Sequence, residues 1–172
     1  ELRGAGRRGS PRFLVAASRD ALGANLDRVQ VIKGWIDAKG ATHERVHDVA
    51  WSDQATRRPG ADGKLPAVGN SVDLKTAKYT NTIGAPELAT AWTDPSFDPV
   101  ERAVWYARVI ENPTCRWTTR VCNAGGVRCE DPATIGEGFE ACCDPAVPKT
   151  VQERSWTSPI WFSPAALAGG AG

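Results

Sequence analysis

Residues 28–51 read RVQVIKGWIDAKGATHERVHDVAW, and how this stretch is read decides the fold. Two runs rich in Val, Ile and Trp flank the turn-forming cluster Asp37-Ala38-Lys39-Gly40. An antiparallel hairpin is expected, with strands over 28–36 and 43–51. Val29 and Val31 share a face of the first strand. On the second, His47, Val49 and Trp51 take one face and Val46 and Ala50 the other. The same run holds His43-Glu44-Arg45-Val46-His47, which spells H-E-x-x-H. In zinc peptidases of that pattern a helix brings two His one turn apart onto one ion and the Glu serves as base. On a strand, His43 and His47 share a face but stand about 13 Å apart, at about 3.3 Å per residue. One zinc, with bonds of about 2 Å, cannot reach both. His43, Glu44 and His47 are therefore the metal candidates the pattern offers, and the match is read as coincidental.

Outward from the hairpin, 13–17 and 87–93 read as strands, and 103–111 alternates strictly. Val104, Tyr106, Arg108 and Ile110 fall on one face, Trp105, Ala107 and Val109 on the other. A rival helix start, Asp98-Pro99-Val100-Glu101, precedes that run, but its β-branched and aromatic content favours a strand. Residues 153–162 form a last strand, in which Pro159 argues for an edge or a bulge. Gly and Pro punctuate 52–76 too densely for a regular element, so a long loop is expected there, of the kind that usually serves a function. Residues 112–150 are expected to be mostly loop. The fold class is mainly β: an antiparallel sheet or Ig-like sandwich with long loops. It forms one domain over 12–162, flanked by a linker or truncated end (1–11) and a flexible tail (163–172).

With 172 residues, 41% hydrophobic and 24% charged, the chain can bury a core as one domain. The balance of 21 Lys+Arg against 20 Asp+Glu lacks the basic excess that displaces counterions from phosphates, which excludes nucleic acid as a partner. No apolar run approaches the roughly 20 residues of a membrane-spanning helix. The Arg- and Gly-rich residues 1–12 are no signal peptide. A start at Glu1 without Met suggests a processed chain, or a piece of a longer one.

All five cysteines, Cys115, Cys122, Cys129, Cys142 and Cys143, lie in the loop-rich segment. Their spacings lack the close pairs of tetrahedral zinc sites. Two disulfides and one leftover thiol in an oxidising compartment are expected, against the alternative of reduced, buried cysteines. The connectivity stays open, save that adjacent Cys142 and Cys143 should take different partners. Gly4-Ala5-Gly6-Arg7-Arg8-Gly9 spells G-x-G-x-x-G without the strand and helix that give it meaning. No Walker A loop, nucleophile elbow or glycosylation sequon is present. Of seven Trp, Trp35, Trp51, Trp105, Trp156 and Trp161 fall on expected strands and read as core filler. An exposed aromatic row for carbohydrate or peptide contact is the alternative, with Trp51 and Trp117 as surface candidates. Asp20, Asn25 and Asp27 lack calcium-loop spacing and read as a turn.

Several runs together resemble one family, domain of unknown function 3604. They are 23–35 (GANLDRVQVIKGW), His43-Glu44 with Asp48-Val49-Ala50-Trp51-Ser52, Gly60-Ala61-Asp62-Gly63-Lys64-Leu65-Pro66 and Tyr79-Thr80-Asn81-Thr82-Ile83-Gly84. Trp92-Thr93-Asp94-Pro95, Tyr106-Ala107-Arg108-Val109 and 152–161 (QERSWTSPIW) continue it. The likeness covers most of 12–162 and is to the family's C-terminal part. Full-length members resemble metal-dependent hydrolases of the polymerase-and-histidinol-phosphatase (PHP) type, with a His-rich N-terminal region for the metal. Nothing here matches that region, so no catalytic residue carries over. The resemblance implies Tyr as the common residue at position 47, and C-terminal β-strands of PHP type. The functional expectation is a non-catalytic β portion of a larger secreted or periplasmic protein. It would hold no cofactor itself, and a divalent metal would sit in the missing N-terminal part, its partner. Loops 52–76 and 115–143 would help shape substrate access. The alternatives are an autonomous binding module with exposed Trp and, least favoured, a zinc peptidase.

Overall fold

The computed structural model describes residues 2–3 and 9–164. In chain order the elements are β1 (Leu2–Arg3), β2 (Arg12–Ser18), β3 (Leu26–Ile36), β4 (Thr42–Trp51), β5 (Glu87–Thr93), β6 (Arg102–Glu111), β7 (Thr114–Cys115), α1 (Trp117–Ala124), β8 (Thr150–Val151), β9 (Arg154–Trp156) and β10 (Ile160–Ser163). The main sheet runs β1-β10-β6-β3-β4, with β9 also paired to β6; β2 and β5 form a two-stranded ribbon, and β7 pairs with β8. Every pairing between these strands is antiparallel except β1 with β10. The expected mainly β, antiparallel architecture is present.

The hairpin forms where its turn chemistry places it. Asp37 Oδ1 accepts the N–H groups of Lys39 and Ala41, each at 2.9 Å, and Gly40 turns the chain at φ 82°. One expectation fails inside β4. Val29 pairs with Ala50 but Gln30 with Asp48, so Val49 is an extra, bulged residue. The bulge inverts the alternation beyond it, placing Ala50 in the core, away from Val46's face, and Trp51 on the face opposite His47. At β6 the helix start signal makes only a turn, with Val100 N–H donating to Asp98 Oδ1 at 3.0 Å.

The expected single strand over 153–162 is two. Arg108 pairs with Trp156 and Trp105 with Ile160, so four steps on this strand match three on β6. The extra residue falls at Ser158–Pro159, between Thr157 opposite Ala107 and Ile160 opposite Trp105, and Thr157 Oγ1 stands in as acceptor for Ala107 N–H at 3.0 Å. Leu2–Arg3, in the stretch read as a linker, pairs with Phe162–Ser163. Residues 4–8, which hold most of the glycine motif, and the tail from 165 lie outside the described residues.

The ribbon covers one face of the main sheet. Phe13, Val15 and Ala17 of β2, with Leu88 and Trp92 of β5, pack on Val29, Val31, Ala103, Trp105 and Phe162. Alternate residues on β3 and β6 thus meet a second layer, and Trp105 is 1% exposed. A charged pair lies within this core. Lys33 Nζ sits 2.9 Å from Asp94 Oδ2, and both side chains are buried. Burial alone would raise the Asp94 pKa. Hydrogen bonds from Lys33, Ser96 N–H and Trp105 Nε1 outweigh it and hold the carboxyl below the ordinary range. The Trp expectation divides accordingly. Trp105 is core and Trp35 is half-buried, whereas Trp156 and Trp161 are each 57% exposed on the face away from the ribbon.

Candidate functional site

Register brings the long connections to one end of the sheet. Arg28, near the start of β3, pairs with Trp51 at the end of β4 and with Ile110 at the end of β6. Residues 19–25, 52–86 and 112–153 therefore converge there. Loops on a rigid scaffold are where recognition usually resides.

Buried polar groups hold this end together. Arg57, 7% exposed, donates from Nε to Pro66 O at 2.8 Å and from Nη1 to Ser52 Oγ at 3.1 Å, and its Nη2 pairs with Asp27 Oδ1. Asp27 Oδ2 also accepts from Arg28 Nε and Gln152 Nε2, both at 3.2 Å. One carboxylate thus ties β3, the 52–66 loop and the strand-entry segment at Gln152. Asn25 Nδ2 donates to Ile83 O at 2.9 Å, Asn112 Nδ2 donates to the same carbonyl at 2.8 Å, and Asn112 N–H bonds Asn25 O at 2.8 Å. Gly84, at φ 77°, leaves room for that contact, since a Cβ there would lie 2.3 Å from Asn112 Nδ2.

The cysteine segment stands on the β7–β8 stem. Disulfides join Cys122 to Cys142 and Cys129 to Cys143, so the adjacent cysteines do take different partners. Cys115 is a buried free thiol whose pKa burial pushes up, which disfavours its thiolate. The expected loop is stiffer than its composition suggests. It contains α1, two single-turn 3₁₀ helices and Lys149, whose Nζ donates to Cys142 O at 2.6 Å. Asn123 on α1 reaches across to Leu74 O at 2.9 Å and Lys75 O at 3.0 Å, joining the two long loops. On the outer face of α1, away from Asn123, Trp117 (69% exposed) and Val121 present apolar side chains to solvent. Trp117 and Val121 lie one helical turn apart.

The remaining sequence candidates are not brought together. Trp51 is half-buried, its Nε1 donating to Arg57 O at 2.7 Å, so it belongs to the loop framework. Asp20 Oδ1 accepts Leu22 N–H in a turn, while Asn25 and Asp27 serve the contacts above. The H-E-x-x-H residues lie on a strand: His43 pairs with Trp35, His47 with Val31, and Glu44 with Gly34 on the opposite face. His43 Nε2 meets Asp37 Oδ2 at 2.8 Å. His47 packs on Trp92, ring centroids 5.0 Å apart, with its Nε2 buried and without a partner. Burial lowers its pKa; Asp94 opposes this and Arg45 and Lys33 add to it. Among the described residues no group of three His, Cys, Asp or Glu side chains is placed to hold a metal ion. The metal that a PHP relationship implies does not fit these residues.

A family model described as a protein of unknown function (DUF3604) matches residues 1–164. The chain belongs to that family. No curated protein and no solved structure matches it. Sequence reasoning missed the DUF3604 chain's two buried ion pairs, Lys33–Asp94 and Arg57–Asp27. Their partners lie 61 and 30 residues apart, and only the loss of charge from otherwise solvated positions could have pointed to them. Among the described residues no helix is long and apolar enough to cross a membrane.

Proposed function

We propose that this chain is the non-catalytic β portion of a larger, metal-dependent hydrolase-like protein of PHP type. Its loop-bearing end packs on the catalytic part and shapes access to the substrate. The observation that carries this is α1 of the loop-bearing end, which presents Trp117 and Val121 to solvent on a framework fixed by the buried Arg57–Asp27 pair, the Asn123 bridge to the other long loop and the disulfides. A rigid tip led by one large aromatic side chain suits an interface hot spot. The disulfides support a secreted or periplasmic setting. The catalytic metal and its ligands belong to the partner region, encoded upstream of Glu1.

The test is co-expression of this chain with the upstream region in an oxidising compartment. A stoichiometric complex is expected, and Trp117→Glu should abolish it without changing the chain's own melting temperature. A chain that stays monomeric beside the upstream region overturns the reading. It would favour the autonomous binding module, which the exposure of Trp156 and Trp161 supports independently.

A further inference from the structure

We propose that the face of the main sheet away from the ribbon carries a saccharide-binding notch, floored by the Gly34 backbone and walled by Trp161. Register places Trp161, Val104, Gly34 and Glu44 in one row across β10, β6, β3 and β4, all on that face. The row beyond it, toward the hairpin turn, is Arg102, Ile36 and Thr42. Gly34 leaves the middle of this surface bare. A Cβ there would sit 3.1 Å from Val104 Cγ1 and project into the space. The resulting cavity, about 440 Å³, has Gly34, Ile36, Thr42, Arg102, Val104 and Trp161 in its lining, within the range of small-molecule sites.

The chemistry of the walls selects the ligand. A pyranose ring has an apolar C–H face and a rim of hydroxyls. Trp161, more than half exposed on a regular strand, offers that face a flat surface held by the sheet. Val104 and Ile36 continue the apolar wall. Arg102 and Thr42 supply donors and an acceptor at the rim, with a guanidinium fork suited to neighbouring hydroxyls. Glu44 faces the same side of the sheet, outside the cavity lining and across β3 from Arg102, and its charge offsets that of Arg102 over the platform as a whole, which favours a neutral sugar over a uronate or a sulfated one. An aromatic peptide side chain would use Trp161 but leave the polar rim unpaired. Trp156 lies opposite Arg108 on the same face, four residues along β6 from Val104, or about 13 Å away, with Tyr106 between. The platform therefore fits a chain of several rings.

This notch shares no residue with the loop-bearing end, so it can fail while the packing role stands, and the reverse. The test is calorimetric titration of the oxidised full chain with neutral hexasaccharides: cellohexaose, xylohexaose, mannohexaose and maltohexaose. At least one is expected to bind, and Trp161→Ala should weaken it about tenfold or more. Gly34→Val, which fills the notch, should do the same, and Trp117→Ala should leave affinity unchanged. Should Gly34→Val misfold, Arg102→Ala takes its place, with the same loss expected. Binding of none of the four sugars, or binding that survives Trp161→Ala unchanged, overturns the proposal.

Discussion

The two-layer core and the loop-bearing end belong to one chain but are held by different forces. In the core, apolar side chains recur at alternate positions of β2, β3, β5 and β6 and meet across the layers, interrupted by Thr90 and by Lys33 of the one buried ion pair inside. At the loop end, Arg57 with Asp27, two buried asparagines and two disulfides replace apolar area. Apolar burial adds up residue by residue. A buried polar network is stabilising only while every partner is in place. The difference shows how a surface of irregular loops becomes rigid enough for recognition. It also predicts that the two regions fail under different stresses.

The largest effect belongs to the core pair. Asp94→Ala leaves Lys33 charged and buried, and should cost the whole domain about 3–5 kcal/mol, read as a lowered denaturation midpoint. A loss well under 1 kcal/mol would mean the pair is not desolvated as described. Loss of either disulfide alone comes next. The two closed loops, with sequence separations of 20 and 14, are each worth about 3 kcal/mol in the chain-entropy treatment. The effect should be local, with amide exchange accelerating over 116–149 while β3 and β6 keep their protection. Equal loss in the sheet would erase the contrast between the regions.

Acid should act on the core through His47. Its folded pKa is lowered, chiefly by burial, so below about pH 6.5 the unfolded chain takes up a proton that the folded chain resists. Stability therefore falls as the pH drops below that value, until the folded pKa is reached. Asp94 adds a second loss at lower pH, beginning below about 4 and continuing down to its depressed folded pKa. His47→Tyr should flatten the first slope and leave the second. The smallest effect is at Glu111, where burial, then Glu153 and Asp20, raise the pKa. Ionisation at neutral pH is thus unfavourable in the folded state, and Glu111→Gln should stabilise the domain by less than about 1 kcal/mol, given solvent screening. The gain should vanish in acid.

The layers were legible because burial at every second residue writes itself into the sequence. Alternation over 103–111 and the turn at Asp37 placed the main strands and their faces. The alternation was lost at Val49, because a bulge inverts the faces without leaving a compositional mark. The loop end was legible in its cysteines but not in Arg57 or Asp27, since a charged residue looks solvated until its partner is known. Trp156 and Trp161 read as filler because propensity registers a pleated surface and is silent on whether a second layer covers it.

Docking through the loop-bearing end is the central proposal, and hydrogen exchange of this chain with and without the proposed N-terminal partner region tests it directly. Docking should slow exchange in α1 and in the loop around Leu74, with β9 and β10 unchanged. Protection confined to the Trp156–Trp161 face, or no protection at all, would contradict it.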